Sequence, residues 1–190
     1  DDMFRIDGIK RDTKKIRLLL KSLARNESTT VTNKKLKNDI KEIDDEDINI
    51  DTVTDYLGIF QRLFLTENQP PFSSRVRSSV RVKQAEKRHF VDPSLACAIL
   101  GVNTERLLGD LETAGFLFEA LCERDLRIYA EACDASLYHY QDYAGKEIDA
   151  VVEFKNGDWI AFEIKLGANQ IDVAAESLIA IRDSIAAEGD

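Results

Sequence analysis

Zinc-ligand spacing is missing from this chain. Its three cysteines, Cys97, Cys122 and Cys133, form no C-x-x-C pair, and only His89 and His139 could join them as soft ligands, which excludes a convincing zinc site. An odd cysteine count among apolar neighbours suits a reducing cytoplasm. No apolar run approaches a membrane span or a signal h-region, so a soluble, cytoplasmic protein with no membrane partner is expected. There is no G-x-x-x-x-G-K-[ST], hence no ATP site and no ATP hydrolysis by this chain alone. There is also no G-x-S-x-G elbow, and neither histidine has an obvious nucleophilic partner. Internal repeats and low-complexity linkers are absent too. Asp1 is not an initiating residue, so a piece of a longer protein is expected.

What the chain has in quantity is charge, unevenly placed. Of 26 basic residues 19 fall before Pro93, and of 35 acidic residues 19 fall after it, so the net charge of -9 sits in the second half. Such a second half would not hold DNA by general electrostatics. At 190 residues and 44% hydrophobic content, the chain can bury one core or two small ones, and the charge division favours two.

Helical spacing of Ile16, Leu19, Leu20 and Leu23 predicts a helix over 14–26, broken by Ser28-Thr29-Thr30. A second helix is expected over 33–40. The acidic run from Glu42 to Asp47 belongs in a solvated loop. A third helix follows, with Asp51 or Thr52 as N-cap and Val53, Tyr56, Leu57, Phe60 and Leu63 on one face. After Gln69-Pro70-Pro71 come Arg75, Arg77, Arg81, Lys83, Lys87 and Arg88. Three short helices and a basic two-stranded ribbon between about Phe64 and Val91 read as a winged helix whose ribbon could meet phosphates. Asp51 and Asp55 on the recognition helix would repel a phosphate backbone, which leaves DNA and protein both open as its partner.

The segment Glu147–Gly167 reads E-I-D-A-V-V-E-F-K-N-G-D-W-I-A-F-E-I-K-L-G. Strand alternation puts Asp149, Val151 and Glu153 on one face and the apolar Ala150, Val152 and Phe154 on the other. Asn156-Gly157 predicts a hairpin turn, returning a strand over 159–166 with Glu163 and Lys165 one way and Ile160, Phe162 and Ile164 the other. Carboxylates at adjacent strand positions repel unless a cation lies between them. A divalent metal, Mg²⁺ or Mn²⁺, would serve, and could polarise a phosphodiester and a bound water. The same side chains would equally make the wet side of an ordinary amphipathic hairpin. A third acid, Glu119, sits near the start of a helix from Gly115 to about Ala130 whose apolar side is Phe118, Leu121 and Leu126. Leu107, Leu108 and Leu111 at helical spacing mark a joining segment over 101–114. A strand is expected over 137–143 and a helix over 171–187 that buries Val173, Leu178, Ile181 and Ile185.

The order G-x-x-F-E-x-L, Y-x-Y, E-I-D and F-E-I-K-x-G resembles the C-terminal region of a large prokaryotic family of AAA+-type ATPases, from about Arg5 onward. It includes R-I-D-G-I-K-R-D, L-L-x-S-L-A-R-N and D-P-S-L-A. The resemblance implies an α/β (α+β) chain: a winged helix-turn-helix over 1–92, a connecting helical segment over 93–114, and a restriction-endonuclease-like PD-(D/E)xK core over 115–190. In that core a small mixed sheet is flanked by helices. It further implies that Glu119, Asp149 and Glu163 position metal and that Lys165 serves the attacking water; Gln170, read from its place at the start of the last helix beside the lysine strand, could touch substrate phosphate or be a polar cap. The motif's proline is replaced by Ile148, and Ala120 stands where an Asn often follows the helical Glu. Two functions follow as expectations: a Mg²⁺-dependent DNA phosphodiesterase coupled to an N-terminal ATPase module, or a non-catalytic regulatory module binding DNA or a partner. A charged strand face mediating homo-oligomer contact is a third.

Overall fold

The computed structural model describes residues 12–44, 47–75, 84–142 and 144–189. The chain is mixed α+β. Helix α1 (Thr13–Arg25) starts where the Asp12 carboxylate accepts from the Lys14 and Lys15 amides, and it buries Ile16, Leu19 and Leu23. A short strand β1 (Thr29–Thr30) separates it from α2 (Asn33–Asp44), and α3 (Ile50–Arg62) follows. The α3 cap is Asn49, whose Oδ1 accepts from the Asp51 amide at 3.1 Å, so the helix begins before the expected Asp51 or Thr52. Val53, Tyr56, Leu57 and Phe60 are buried as their spacing predicts, while Leu63, just past the last turn, is exposed.

Beyond α3, Thr66 and Gln69 bridge antiparallel to Phe90 and Lys87. On its other edge β2 (Lys87–Arg88) pairs with β1, Thr29 opposite Arg88 and Thr30 opposite Lys87. Lys87 therefore lies between two backbone neighbours, and β1 adds a strand where the sequence announced only a helix break. The stretch carrying Arg77, Arg81 and Lys83 lies outside the described residues. α1 packs on α2 and on α4 (Pro93–Leu100), and α2 on α3. Leu19, Leu36, Ile40, Val53, Phe60 and Ala96 form one core.

After α5 (Thr104–Leu108) comes α6 (Leu111–Ala132), which begins four residues before the expected start because Asp110 caps the Thr113 amide at 3.1 Å. Its buried face is Leu117, Ala120, Glu123 and Ala130. Phe118 and Leu121, expected inside, are 36% and 38% exposed. The partners α6 meets choose its inner face, and an apolar stripe on one helix does not name them.

Strands β3 (Ser136–Gln141), β4 (Glu147–Glu153) and β5 (Trp159–Phe162) form an antiparallel sheet in that order. The mixed sheet expected is reduced to one parallel bridge, Pro71 to His139. Ala150, Val152 and Phe154 pack with Leu137 and α6 residues Leu126 and Ala130, as alternation predicts. The opposite face is not wet. Ile148 and Val151 pack there against Phe72 and against Ile181 and Ile185 of α7 (Ile171–Gly189). The α7 stripe is Ala174, Leu178, Ile181 and Ile185, and Val173, off that stripe, is 72% exposed. Among the described residues no helix is long and apolar enough to cross a membrane.

Candidate functional site

The site begins with an irregularity in β4. Tyr138 pairs with Val151 but Tyr140 with Ile148, so Asp149 and Ala150 together oppose the single residue His139. A bulge of this kind bends the strand and re-aims its groups. The Asp149 carbonyl accepts from Gln69 Nε2 at 3.2 Å and lies 3.5 Å from Lys87 Nζ, while its Oδ2 accepts from the Ile164 amide at 2.7 Å. Asp149 is thereby buried and held at both ends.

The turn at Asn156-Gly157 forms as expected. Gly157 adopts φ +91° and its amide donates to the Phe154 carbonyl at 3.0 Å, a backbone state that a side chain at this position would strain. Strand β5 ends at Phe162, so Glu163 and Lys165 lie beyond the ladder and Ile160 is half exposed. Lys165 Nζ stands 2.6 Å from Glu163 Oε1 and 3.7 Å from Asp149 Oδ2. Burial works against the Lys165 charge, but the Glu163 hydrogen bond and the Asp149 charge outweigh it and hold its pKa above the ordinary lysine value. Burial raises Glu163, with Lys165 pulling the other way. Lys165 is therefore an ammonium at neutral pH, suited to hold negative charge or orient a water rather than to take a proton.

Glu119 reaches the same region from α6. It lines a cleft of ≈ 590 Å³ with Phe116, Ile164, Lys165, Gly167 and Gln170. On its other side a cavity of ≈ 120 Å³ is lined by Ser28, Lys87, Glu119, His139 and Asp149, among others. Gln170 is exposed at the rim of the larger cleft, in the turn Ala168–Gln170 ahead of α7.

Lys87 corrects the sequence reading most sharply. Expected on a phosphate-facing ribbon, it is 7% exposed and ion-paired to Glu119 and, at 2.8 Å, to Glu123. Arg88 is half-buried and donates to the Val31 carbonyl at 3.4 Å and to Asn33 Oδ1 at 3.0 Å, so it too is engaged within the fold. Of the described ribbon cations only Arg75 is exposed.

The Ser28 hydroxyl stands between the two acids of this cluster. Ser28 Oγ lies 2.8 Å from a carboxylate oxygen of Glu119 and 2.8 Å from one of Glu123, yet a hydroxyl has one proton to give. A protonated acid on the other side would complete the pair of contacts. Burial pushes Glu123 up to about 8, with Lys87 offsetting only part of that, so Glu123 is the neutral partner at pH 7. Burial also raises Glu119, against the pull of Lys87. The Lys87 amine loses by burial and gains more from Glu123, Glu119 and Asp149, which keeps it charged.

Around this cluster lie more buried titratable groups. His89 Nδ1 is 3.3 Å from Glu27 Oε1, its Nε2 is 3.1 Å from Gln69 Oε1, and burial holds it neutral. Glu27 accepts from the Phe90 amide and is pushed by burial to about 8. His139 is lowered to about 4 by burial and by Lys87. Sequence reasoning missed Ser28, Glu27 and Glu123. One signal was there: Glu119 and Glu123 are four residues apart on one helix, a like-charge spacing that calls for a cation between them.

The fit to a divalent metal can now be judged. Glu119 is committed to Lys87 and Ser28, Glu163 to Lys165, and Asp149 Oδ2 to a backbone amide. Among the described residues no three His, Cys, Asp or Glu side chains are placed to hold a metal. The acids predicted as ligands lie in one region, each with one carboxylate oxygen engaged within the fold.

No curated protein matches the chain, and no solved structure matches it. Residues 114–189 match a domain of unknown function, DUF4143, a domain found at the C-termini of AAA-type ATPases. Residues 1–106, more than half of the chain, match a second family, and the protein therefore belongs to the family described as Domain of unknown function (DUF8612).

Proposed function

We propose that this chain is the C-terminal region of an AAA-type ATPase and that, in the arrangement described, it is a non-catalytic regulatory module that binds a protein partner, the ATPase module of its own chain. Its first unit is a winged helix and its second a PD-(D/E)xK-like core without a preformed metal centre. The helix–strand–helix–helix order, with residues 87–90 laid between Thr29-Thr30 and Thr66–Gln69, supports the first assignment. The antiparallel sheet flanked by α6 and α7, with the acids on its hairpin, supports the second.

The observation that carries the non-catalytic reading is the ion pairing of Glu119 Oε1 by Lys87, which sets a resident cation in competition with any metal at that acid. Lys87 and Arg88 are also withdrawn from the ribbon's basic set, while Asp51 and Asp55 stay exposed on α3. Both facts favour a protein partner over a phosphate backbone.

A second reading, a metal-dependent deoxyribonuclease, draws on one specific contact. Lys165 bridges Glu163 and Asp149 at the edge of the ≈ 590 Å³ cleft, where Asp149 and Glu163 could hold Mg²⁺ or Mn²⁺. A bound divalent ion would supply Lewis-acid activation of a phosphate and a water. One experiment separates the two: cleavage of single-stranded, duplex and branched DNA in Mn²⁺ by wild type and by Lys165→Ala. Equal background in both is expected. Cleavage by wild type that Lys165→Ala abolishes, with the fold intact, would replace the regulatory reading by the nuclease one.

A further inference from the structure

We infer that the Lys87 ammonium is the resident cation of the carboxylate cluster, standing where a divalent metal would otherwise be required and bolting the N-terminal unit to the α/β core. This inference rests on the closed, non-catalytic reading of the cleft and adds how the cleft is closed.

The geometry is that of a cation seat. Glu119 and Glu123 extend from adjacent turns of α6 and meet at one point, the Nζ of Lys87, with the Asp149 carbonyl 3.5 Å from it. Each of these three acceptors is an oxygen, the donor type a hard cation prefers. With Glu123 protonated, the pair still carries the Glu119 charge, and a largely buried carboxylate cannot stand without a counter-charge. The chain supplies it from 32 and 36 residues away.

The amine's position is fixed from behind. The Lys87 backbone exchanges two 2.9 Å hydrogen bonds with Gln69, and Lys87 pairs with Thr30 on the opposite edge. Gln69 then donates through its own amide to the Tyr138 carbonyl at 2.7 Å and to that of Asp149 at 3.2 Å. The strand delivering the ammonium is thus tied to the β4 bulge that it helps to satisfy. Lysine can fill the seat because its charge ends a thin aliphatic stem, whereas a planar guanidinium would not fit two carboxylates converging on one point.

The inference separates Lys87 from the ribbon cations as a class. They would contact a partner, whereas Lys87 substitutes for an ion. Removing its charge leaves Glu119 without its counter-charge beside Glu123 and Asp149, and a divalent cation that displaces the Glu123 proton is then the available remedy.

The test is a Mn²⁺ titration of wild type, Lys87→Ala and Lys87→Gln by calorimetry. Wild type is expected to show no binding in the millimolar range, and at least one variant to bind at least about tenfold more tightly. Adding Glu119→Gln to that variant should abolish the gain. Folded variants that stay silent would overturn the role of Lys87 while leaving the non-catalytic reading standing. Wild type that binds Mn²⁺ as tightly as the variants would overturn the closed-site reading itself. Should neither variant fold, amine labelling of wild type followed by mass spectrometry decides. Lys87 is expected to label at least about tenfold more slowly than the exposed lysines, as a buried ion-paired amine must, and labelling at their rate would overturn the proposal.

Discussion

At the scale of single residues the chemistry of this protein turns on which buried acids are charged. Glu123 illustrates it, being 1% exposed, neutral up to about pH 8, and in contact with Ser28 and Lys87. A neutral amide of the same shape should replace it with little loss, because no charge is removed and the hydrogen-bonding positions survive. Glu123→Gln is expected to change stability by less than about 1 kcal/mol at pH 7, whereas Glu123→Ala should cost about 2–3 kcal/mol by removing one hydrogen-bond partner from each of Ser28 and Lys87 in a buried site. Urea denaturation of both variants checks this, and equal losses would show that Glu123 is charged in the folded state. Asp149 and Lys165 were legible in the sequence because two-residue spacing and a turn suffice to place them on one hairpin. The role of Lys87 was not, since a lysine in a basic run looks the same whether its amine faces solvent or two carboxylates.

At the scale of elements the segment between α3 and β2 behaves as part of two cores. Phe72 leaves the N-terminal unit and packs between Tyr138 and Trp159, with ring centroids at 6.2 and 5.4 Å. Its amide donates to the His139 carbonyl at 2.6 Å. It is fully buried, which makes it packing rather than an intercalating wedge. Phe72→Ala should cost about 3–5 kcal/mol, the usual loss for an aromatic in a rigid core. A chemical-denaturation midpoint within error of wild type would show that this contact does not hold in solution. The hairpin carrying Asp149 followed from period and turn chemistry, but its faces did not. One extra residue at the bulge put Ile148 beside Val151, and α7 with Phe72 covered the side that alternation left to water. Leu117 and Ala120 rather than Phe118 and Leu121 became the inner face of α6 for the same reason: adjacent stripes on one helix are both apolar, and the neighbour selects.

At the scale of the whole molecule the two family segments meet across a polar seam that titrates. Glu27 and Glu123 are raised from 4.5 to about 8, while His139 is lowered from 6.5 to about 4 and His89 lies well below its usual value. Above pH 4.5 the unfolded chain releases glutamate protons that the folded protein keeps, so stability falls as pH rises toward 8. Below pH 6.5 the unfolded chain takes histidine protons that the folded protein refuses, so stability falls as pH drops toward 4. Each group changes stability by about 1.4 kcal/mol per pH unit inside its window. Glu119, also raised, adds to the loss on the alkaline side, and Lys87 stays charged throughout. The slopes oppose each other between pH 4.5 and 6.5, so thermal stability should be nearly flat there and decline from 6.5 to 8. Differential scanning calorimetry across this range checks it, and a midpoint that rises from pH 6.5 to 8 would contradict the buried neutral glutamates.

The sequence by itself determined what depends on near neighbours. Helical stripes placed Val53, Tyr56, Leu57 and Phe60 inside, and a side-chain cap stands at the start of α1, α3 and α6. Asn156-Gly157 turned the chain and returned Glu163 and Lys165 beside Asp149. These follow from backbone geometry over a few residues. Only the tertiary structure decided which cation neutralises Glu119, where Asp149's carbonyl points, and that Lys87 and Arg88 are engaged within the fold. The physical reason is that a buried charge is paired by whatever group packing brings within about 3–4 Å, and the interior's low dielectric makes that pairing decisive. Lys87 and Glu119 are 32 residues apart, and no local pattern records that they meet.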